Sequence, residues 1–289
     1  MRLDELRVAS ARSLSYAPQY VAAELGYFAD AGLGVRFVDY PPSMSDLAAT
    51  VPRGADLLLG SLLYADGLQR HGIDAVAVAQ CNQQATALVV TRTALDAPFH
   101  WDMLRGAAVV FTQTRTPTTW LAFCQALREQ GLTLDDLQPV VGFASEDAIE
   151  EFRAGSGDFL VTDVETGLAS GLAEAASVSD GLGPIPWSVY LAEAEAAERR
   201  RTEYDAFRSA IGRAQDWLRQ AGGARAATVL APHFPDDSPD RVRQVVDRFL
   251  RMRLWVEEGG VQPDQMRRWD AVLRRARILG RPPTPWVTA

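Results

Sequence analysis

"YVAAELGYFADAGLGVRFVDYPP", residues 20–42, carries a helix, a stop and a strand in one short run. Val21 and Leu25 stand four apart, so both face one side of a helix over Tyr20–Leu25. Gly26 follows, and a residue without Cβ takes the left-handed conformation that ends helices. Further glycines precede "VRFVDY", Val35–Tyr40, a β-branched and aromatic run that reads as a strand. A helix feeding so quickly into a strand is the grammar of an α/β fold.

The same grammar extends outward. Candidate strands are Leu6–Ser10, Asp56–Ser61, Asp74–Gln80, Thr86–Thr91, Ala107–Thr112, Gln138–Ala144 and Asp158–Asp163. Their apolarity is continuous rather than alternating, which predicts strands covered on both faces in a largely parallel sheet. Helix ends are marked between them. Thr116-Pro117 reads as a cap followed by proline at the first helical position, with Gly131 closing that helix. Ser145 precedes the acidic turn "EDAIEEF", which suits the positive end of a helix dipole. Beyond residue 192 long helical patterns take over, at 192–220, 224–230, 239–258 and 263–278.

Composition narrows the function. The chain has 289 residues, a formal charge of −8 and a pI near 5.0, which disfavours nucleic acid and anionic membrane as partners. All 29 basic residues are arginine, so no lysine can hold pyridoxal phosphate as a Schiff base. Cys81 and Cys124 are too few for a disulfide framework, and His71, His100 and His233 lack metal-ligand spacing. No metal and no cofactor are expected. No run approaches the roughly 18 apolar residues of a membrane span, so no membrane insertion is expected. Arg2, Asp4, Glu5, Arg7 and Arg12 crowd the first dozen residues where an export signal would need an apolar core. As written, the chain is expected to stay in the cytoplasm, and to be periplasmic or extracellular if a longer start supplies a leader.

Several segments in order carry a family resemblance. "YVAAELGYFADAGLGVRFV" resembles the helix–GYF–strand opening of periplasmic-binding-protein folds of the group that takes up sulfonates, taurine and thiamine-pyrimidine precursors. "PRGADLLLGSLLYADGLQRHGIDAVAVAQ", "DMLRGAAVVFTQTRTPTTWLAFCQALREQGL" and "DAIEEFRAGSGDFLVTDVETGLA" are similar to that group's later segments. The resemblance implies two α/β lobes joined by two crossover strands, a ligand cleft between them and a C-terminal helical segment. Lobe one would hold residues 1–91 and 192–289, and lobe two 92–191. It also implies a monomer that binds a small planar or anionic molecule, a sulfonate, an aromatic acid or a pyrimidine, and an ABC permease as partner if the protein is exported. Enzymes on the same scaffold are the alternative. The pyrimidine-synthase branch needs a lysine, which is absent. The desulfinase branch uses a cysteine in the loop after strand one, where this chain has Ser13.

In open α/β sheets ligands sit beyond the carboxyl ends of strands. The candidate ligand-binding residues are therefore Ser13, Tyr16 and Gln19 after strand one, Ser61 after strand three, and Asn82 after strand four. Thr112, Thr114, Arg115 and Thr116 form a hydroxyl-rich helix start with one cation, a pattern suited to an anion. Asp163 and Glu165 follow another strand, and Trp187 lies near the return crossover. Cys81 is a candidate nucleophile only in the enzymatic alternative, and burial is the commoner fate of such a residue.

Overall fold

The structure, a computed structural model, describes residues 4–40, 54–112, 117–143, 145–257, 259–276 and 284–285. The chain divides into two compact units, Met1–Gln84 with Ile185–Ala289, and Ala85–Pro184. It opens with β1 (Asp4–Ser10), a 3-10 turn at Leu14–Tyr16, α1 (Ala17–Glu24), α2 (Tyr27–Asp30) and β2 (Leu33–Asp39). Gly26 stands between the two helices at φ 73°, closing α1 and starting α2. "GYF" is therefore a corner: Phe28 turns inward and stacks on Phe207 at 5.3 Å between ring centroids. After β3 (Leu57–Gly60), α3 (Leu63–Arg70) and β4 (Ala75–Asn82), the chain leaves the first unit.

The second unit comprises β5 (Ala87–Thr91), β6 (Ala108–Thr112), α4 (Thr118–Glu129), β7 (Gln138–Phe143), α5 (Ser145–Arg153), β8 (Phe159–Asp163), α6 (Val164–Ser170), β9 (Ala173–Ser177) and α7 (Val178–Leu182). The chain returns through β10 (Ser188–Glu193), α8 (Ala194–Arg199), α9 (Arg201–Leu230), α10 (Pro239–Arg251), α11 (Pro263–Arg275) and β11 (Thr284–Pro285). The first unit's sheet runs β11-β4-β10-β3-β1-β2, and the second unit's runs β7-β6-β8-β5-β9.

The strands differ from the sequence expectation in two ways. Each sheet holds one antiparallel strand, β10 between β3 and β4, and β5 between β8 and β9. Each is the first strand after the chain passes from one unit to the other. Thr86–Thr91 was expected to close the first lobe, yet β5 pairs only within the second unit's sheet, because its partners are β8 and β9. Likewise residues 188–191, expected in the second lobe, lie in β10 of the first unit's sheet, and the helical stretch expected from 192 begins at Ala194.

Packing explains the order. Leu57, Leu58 and Leu59 are all fully buried, as a strand covered on both faces requires. Removing one such leucine side chain costs about 2–5 kcal/mol. Tyr204, Phe207, Ile211 and Leu218 of α9 and Val242, Val245 and Phe249 of α10 bury the stripes that the helical spacing predicts. Helix α9 is broken at Gly222, φ 70° and ψ 175°. Asp247 Oδ1 accepts a hydrogen bond from Gly223 N at 2.8 Å and so caps the second half. A Cβ at Gly223 would stand 2.5 Å from the Arg243 carbonyl, so the close approach needs glycine. Among the described residues no helix is long and apolar enough to cross a membrane.

Candidate functional site

Because β10 runs antiparallel to both β3 and β4, strands β1 to β4 point one way. Their carboxyl ends, Ser10, Asp39, Gly60 and Asn82, share one edge of the sheet with Ser188, the first residue of β10. Polar residues gather at this edge. The Tyr16 hydroxyl hydrogen-bonds with the side chain of Ser188, and the Tyr40 phenol lies close to it. The rings of Tyr40 and Tyr64 meet edge to face at 5.8 Å. Gly60 makes room for them: a Cβ there would lie 2.2 Å from the Tyr64 ring and 2.7 Å from the Tyr40 hydroxyl. Burial pushes the Tyr16 and Tyr40 phenols well above their ordinary range, so both stay protonated and can give and take hydrogen bonds.

Asn82 is held by its backbone from three sides. It pairs with Ser188 across the ladder and bridges to Trp255, and its carbonyl accepts from Trp187 N at 3.0 Å. The register slips by one residue beside it, so Cys81 bulges out of β4. The Cys81 thiol is fully buried against the Ser15 carbonyl (3.9 Å) and the Tyr190 hydroxyl, and burial drives its pKa far up. A thiol held protonated in this way is no nucleophile. Cys124 is half-buried, with burial raising its pKa to about 11.

The other residues singled out in the first unit do local work. Ser13 Oγ accepts from Ser15 N at 3.1 Å and pairs with Ser15 Oγ at 2.7 Å, which caps the 3-10 turn bearing Tyr16. Trp255 Nε1 donates to the Ser15 carbonyl at 2.9 Å and pins that turn from the far end of the chain. Gln19 is fully buried and donates to Ser10 Oγ at 2.9 Å. Ser61 Oγ accepts from Leu63 N at 3.2 Å, ahead of α3. Trp187 is half-buried, with its backbone on Asn82. Tyr16, Asn82 and the turn of Ser13 thus meet at one edge, while Gln19 supports it from within. Sequence reasoning missed Tyr40, Tyr64 and Ser188. Tyr40 ends the strand "VRFVDY", and Tyr64 stands one helical turn past Gly60, so the strand-end rule reaches the first and helical spacing the second.

In the second unit the strand ends bring together Thr112, Asp163 and Ser177. Thr112 Oγ1 donates to the Val161 carbonyl at 3.3 Å, and Asp163 Oδ1 accepts from Thr166 N at 2.9 Å as the cap of α6. Glu165 sits in the first turn of that helix, where the dipole favours a carboxylate. Thr114, Arg115 and Thr116 lie outside the described residues. No group of three or more His, Cys, Asp or Glu among the described residues is disposed to hold a metal.

The family model described as NMT1/THI5 like matches residues 13–221. The chain belongs to the NMT1/THI5-like family. Within reach of this family, YtlA of Bacillus subtilis (strain 168) is 21% identical over 257 residues, covering 86% of this chain and 76% of YtlA. The periplasmic aliphatic sulphonate binding protein SsuA of Escherichia coli shares the fold, with a TM-score of 0.74 at 18% identity over 97% of this chain and 95% of SsuA. A DszB mutant solved with biphenyl-2-sulfinic acid shares it too, with a TM-score of 0.66 at 13% identity over 98% and 95% of the two chains. The fold is thus the α/β periplasmic-binding-protein class that the resemblance implied.

Proposed function

We propose that this chain is a solute-binding protein of the ABC-import kind. It takes a small polar molecule at the strand ends of its first unit, one of the sulfonate, aromatic acid or pyrimidine classes. The observation that carries the reading is the convergence of Tyr16, Tyr40, Tyr64, Ser188 and Asn82 on one sheet edge, where this architecture places ligands. Flat rings, protonated hydroxyls and an amide suit a small planar guest better than a macromolecule. The designation of YtlA as a binding protein and the printed sulphonate ligand of SsuA support the same class of function. An ABC permease is the partner this role calls for, with the binding protein acting as a monomer. DszB shows that the scaffold also serves enzymes. Here the loop after β1 offers Ser13 and Ser15 as a hydrogen-bonded cap, and the Cys81 thiol is sealed away, which favours binding over turnover.

The test is a thermal-shift panel of small sulfonates, aromatic acids and pyrimidines, with native mass spectrometry of the freshly purified protein. A ligand at 100 times its Kd adds about 2.7 kcal/mol, a shift of several degrees in Tm. Tyr16→Ala is expected to abolish that shift. Absence of any shift across all three classes, with no co-purifying small molecule, overturns the proposal.

A further inference from the structure

The Asn82 carboxamide is fully buried, and neither its oxygen nor its nitrogen has a hydrogen-bond partner. Buried amides left open at both ends are rare, because each unmade hydrogen bond forfeits the hydration it lost. Its neighbourhood fixes where it faces. Paired residues of an antiparallel ladder project to the same side, and Asn82 pairs with Ser188. Ser188 in turn holds the Tyr16 hydroxyl, so the carboxamide lies on the tyrosine side of the sheet. Gln80, two residues earlier, shows the contrast. Its carboxamide donates to Gln265 Oε1 at 2.8 Å and accepts from Gln262 N at 3.1 Å.

We infer that Asn82 is the specificity-determining residue of this edge, and that it selects an uncharged ligand whose edge both donates and accepts a hydrogen bond, as a carboxamide or a ring lactam does. The inference rests on the proposed binding function and narrows it. A carboxamide presents donors and an acceptor side by side. A sulfonate or carboxylate brings acceptors only and would leave the Asn82 oxygen unpaired whichever way the amide is turned. At this edge Tyr16, Tyr40, Tyr64, Ser188 and Asn82 are uncharged, the strand-end Asp39 is acidic, and Arg12, two residues past β1, is paired with Asp236, so none of them offers an anion a free counter-charge. Asn82 has no solvent-accessible surface, so the ligand reaches it with a movement of the half-buried Tyr16 or Tyr40 at this edge.

The experiment uses the full chain, two matched neutral probes, benzamide and 2-pyridone, and two anions of similar size, benzoate and benzenesulfonate. Calorimetry is expected to show the neutral pair binding the wild type more tightly than the anions. Asn82→Leu, with Asn82→Val as a smaller companion in case leucine overfills the site, is expected to weaken the neutral pair by about 10–100-fold. The same variant has a second readout. Replacing an unpaired amide by an apolar group of similar shape leaves ligand-free stability unchanged or raises it, so its Tm is expected to hold or rise while binding falls. Anions that bind as tightly as their neutral partners overturn the inference, as does a neutral probe indifferent to the substitution. A drop in Tm in both variants also overturns it, because it shows the amide already satisfied, and this arm decides even if no probe binds. Binding by anions alone would leave the solute-binding reading standing without this selectivity, whereas that reading itself falls only if the wider panel gives no shift and no small molecule co-purifies.

Discussion

The two units finish their strands in opposite ways. In the second, the polar groups at strand ends are mostly spent: Asp163 caps α6, Thr112 donates to Val161, and Ser177 pairs with Ser179 at 2.7 Å. Thr162 Oγ1 is the unpaired exception among the described strand-end residues there. In the first unit the cluster is built but not closed, with two tyrosines against a glycine and a buried amide open at both ends. Satisfied groups fix a fold, whereas an unsatisfied one costs stability that only a partner returns. The first unit's edge is therefore where a ligand has most to offer.

That contrast can be broken experimentally. Gly60→Val is expected to have the largest effect, about 3 kcal/mol or more, because its side chain would overlap the buried Tyr64 ring. Denaturant unfolding measures it, and a loss below about 1 kcal/mol would show that the tyrosines are not packed on this strand. Alkaline pH should come next. Burial, followed by the Asp56 carboxylate, raises the Tyr204 pKa to about 12, and burial also lifts Tyr16, Tyr20, Tyr40 and Tyr190. Each folded-state value lies above the unfolded phenol near 10, so the stability they contribute is complete below about pH 10. It falls as pH rises from there through about 12, the folded value of Tyr204. Circular dichroism against pH should show unfolding begin in this window, and Tyr204→Phe should delay it.

Smaller effects sharpen the second unit's side. Asp163→Ala removes a helix cap and is expected to cost about 1 kcal/mol, with Asp163→Asn recovering most of it. Equal losses in both variants would mean that the charge, rather than the hydrogen bond, is what matters. The smallest effect is chemical. With its thiol pKa near 11, Cys124 should react with iodoacetamide at pH 8 at least about ten times more slowly than a free thiol, and Cys81 only after unfolding. Fast labelling of Cys81 in the native protein would contradict its burial.

Much of the fold is legible in residue order. Gly26 stops one helix and begins the next because only glycine takes φ 73° without strain, and the leucines of β3 announce a strand covered on both sides. β9, "AEAAS", is not legible, since alanine and glutamate carry no strand preference; it forms because β5 leaves a ladder edge to pair. β10 is similarly obscured, because its antiparallel insertion between β3 and β4 is a matter of partners far away in sequence. The strand-end rule selects Asn82 and Tyr16, yet it selects Gln19 with equal force. Nothing local distinguishes an amide that holds Ser10 from one that holds nothing.

By itself, the sequence determined the alternation of helices and strands, the glycine corners and the exclusion of lysine chemistry, because these follow from short-range sterics and composition. Only the tertiary structure decided which strand ends meet, which tyrosines gather round Gly60 and which polar side chains are left without partners. Hydrogen-bond satisfaction depends on neighbours brought together from distant parts of the chain: Ser188 and Trp255 reach Asn82 from more than a hundred residues away.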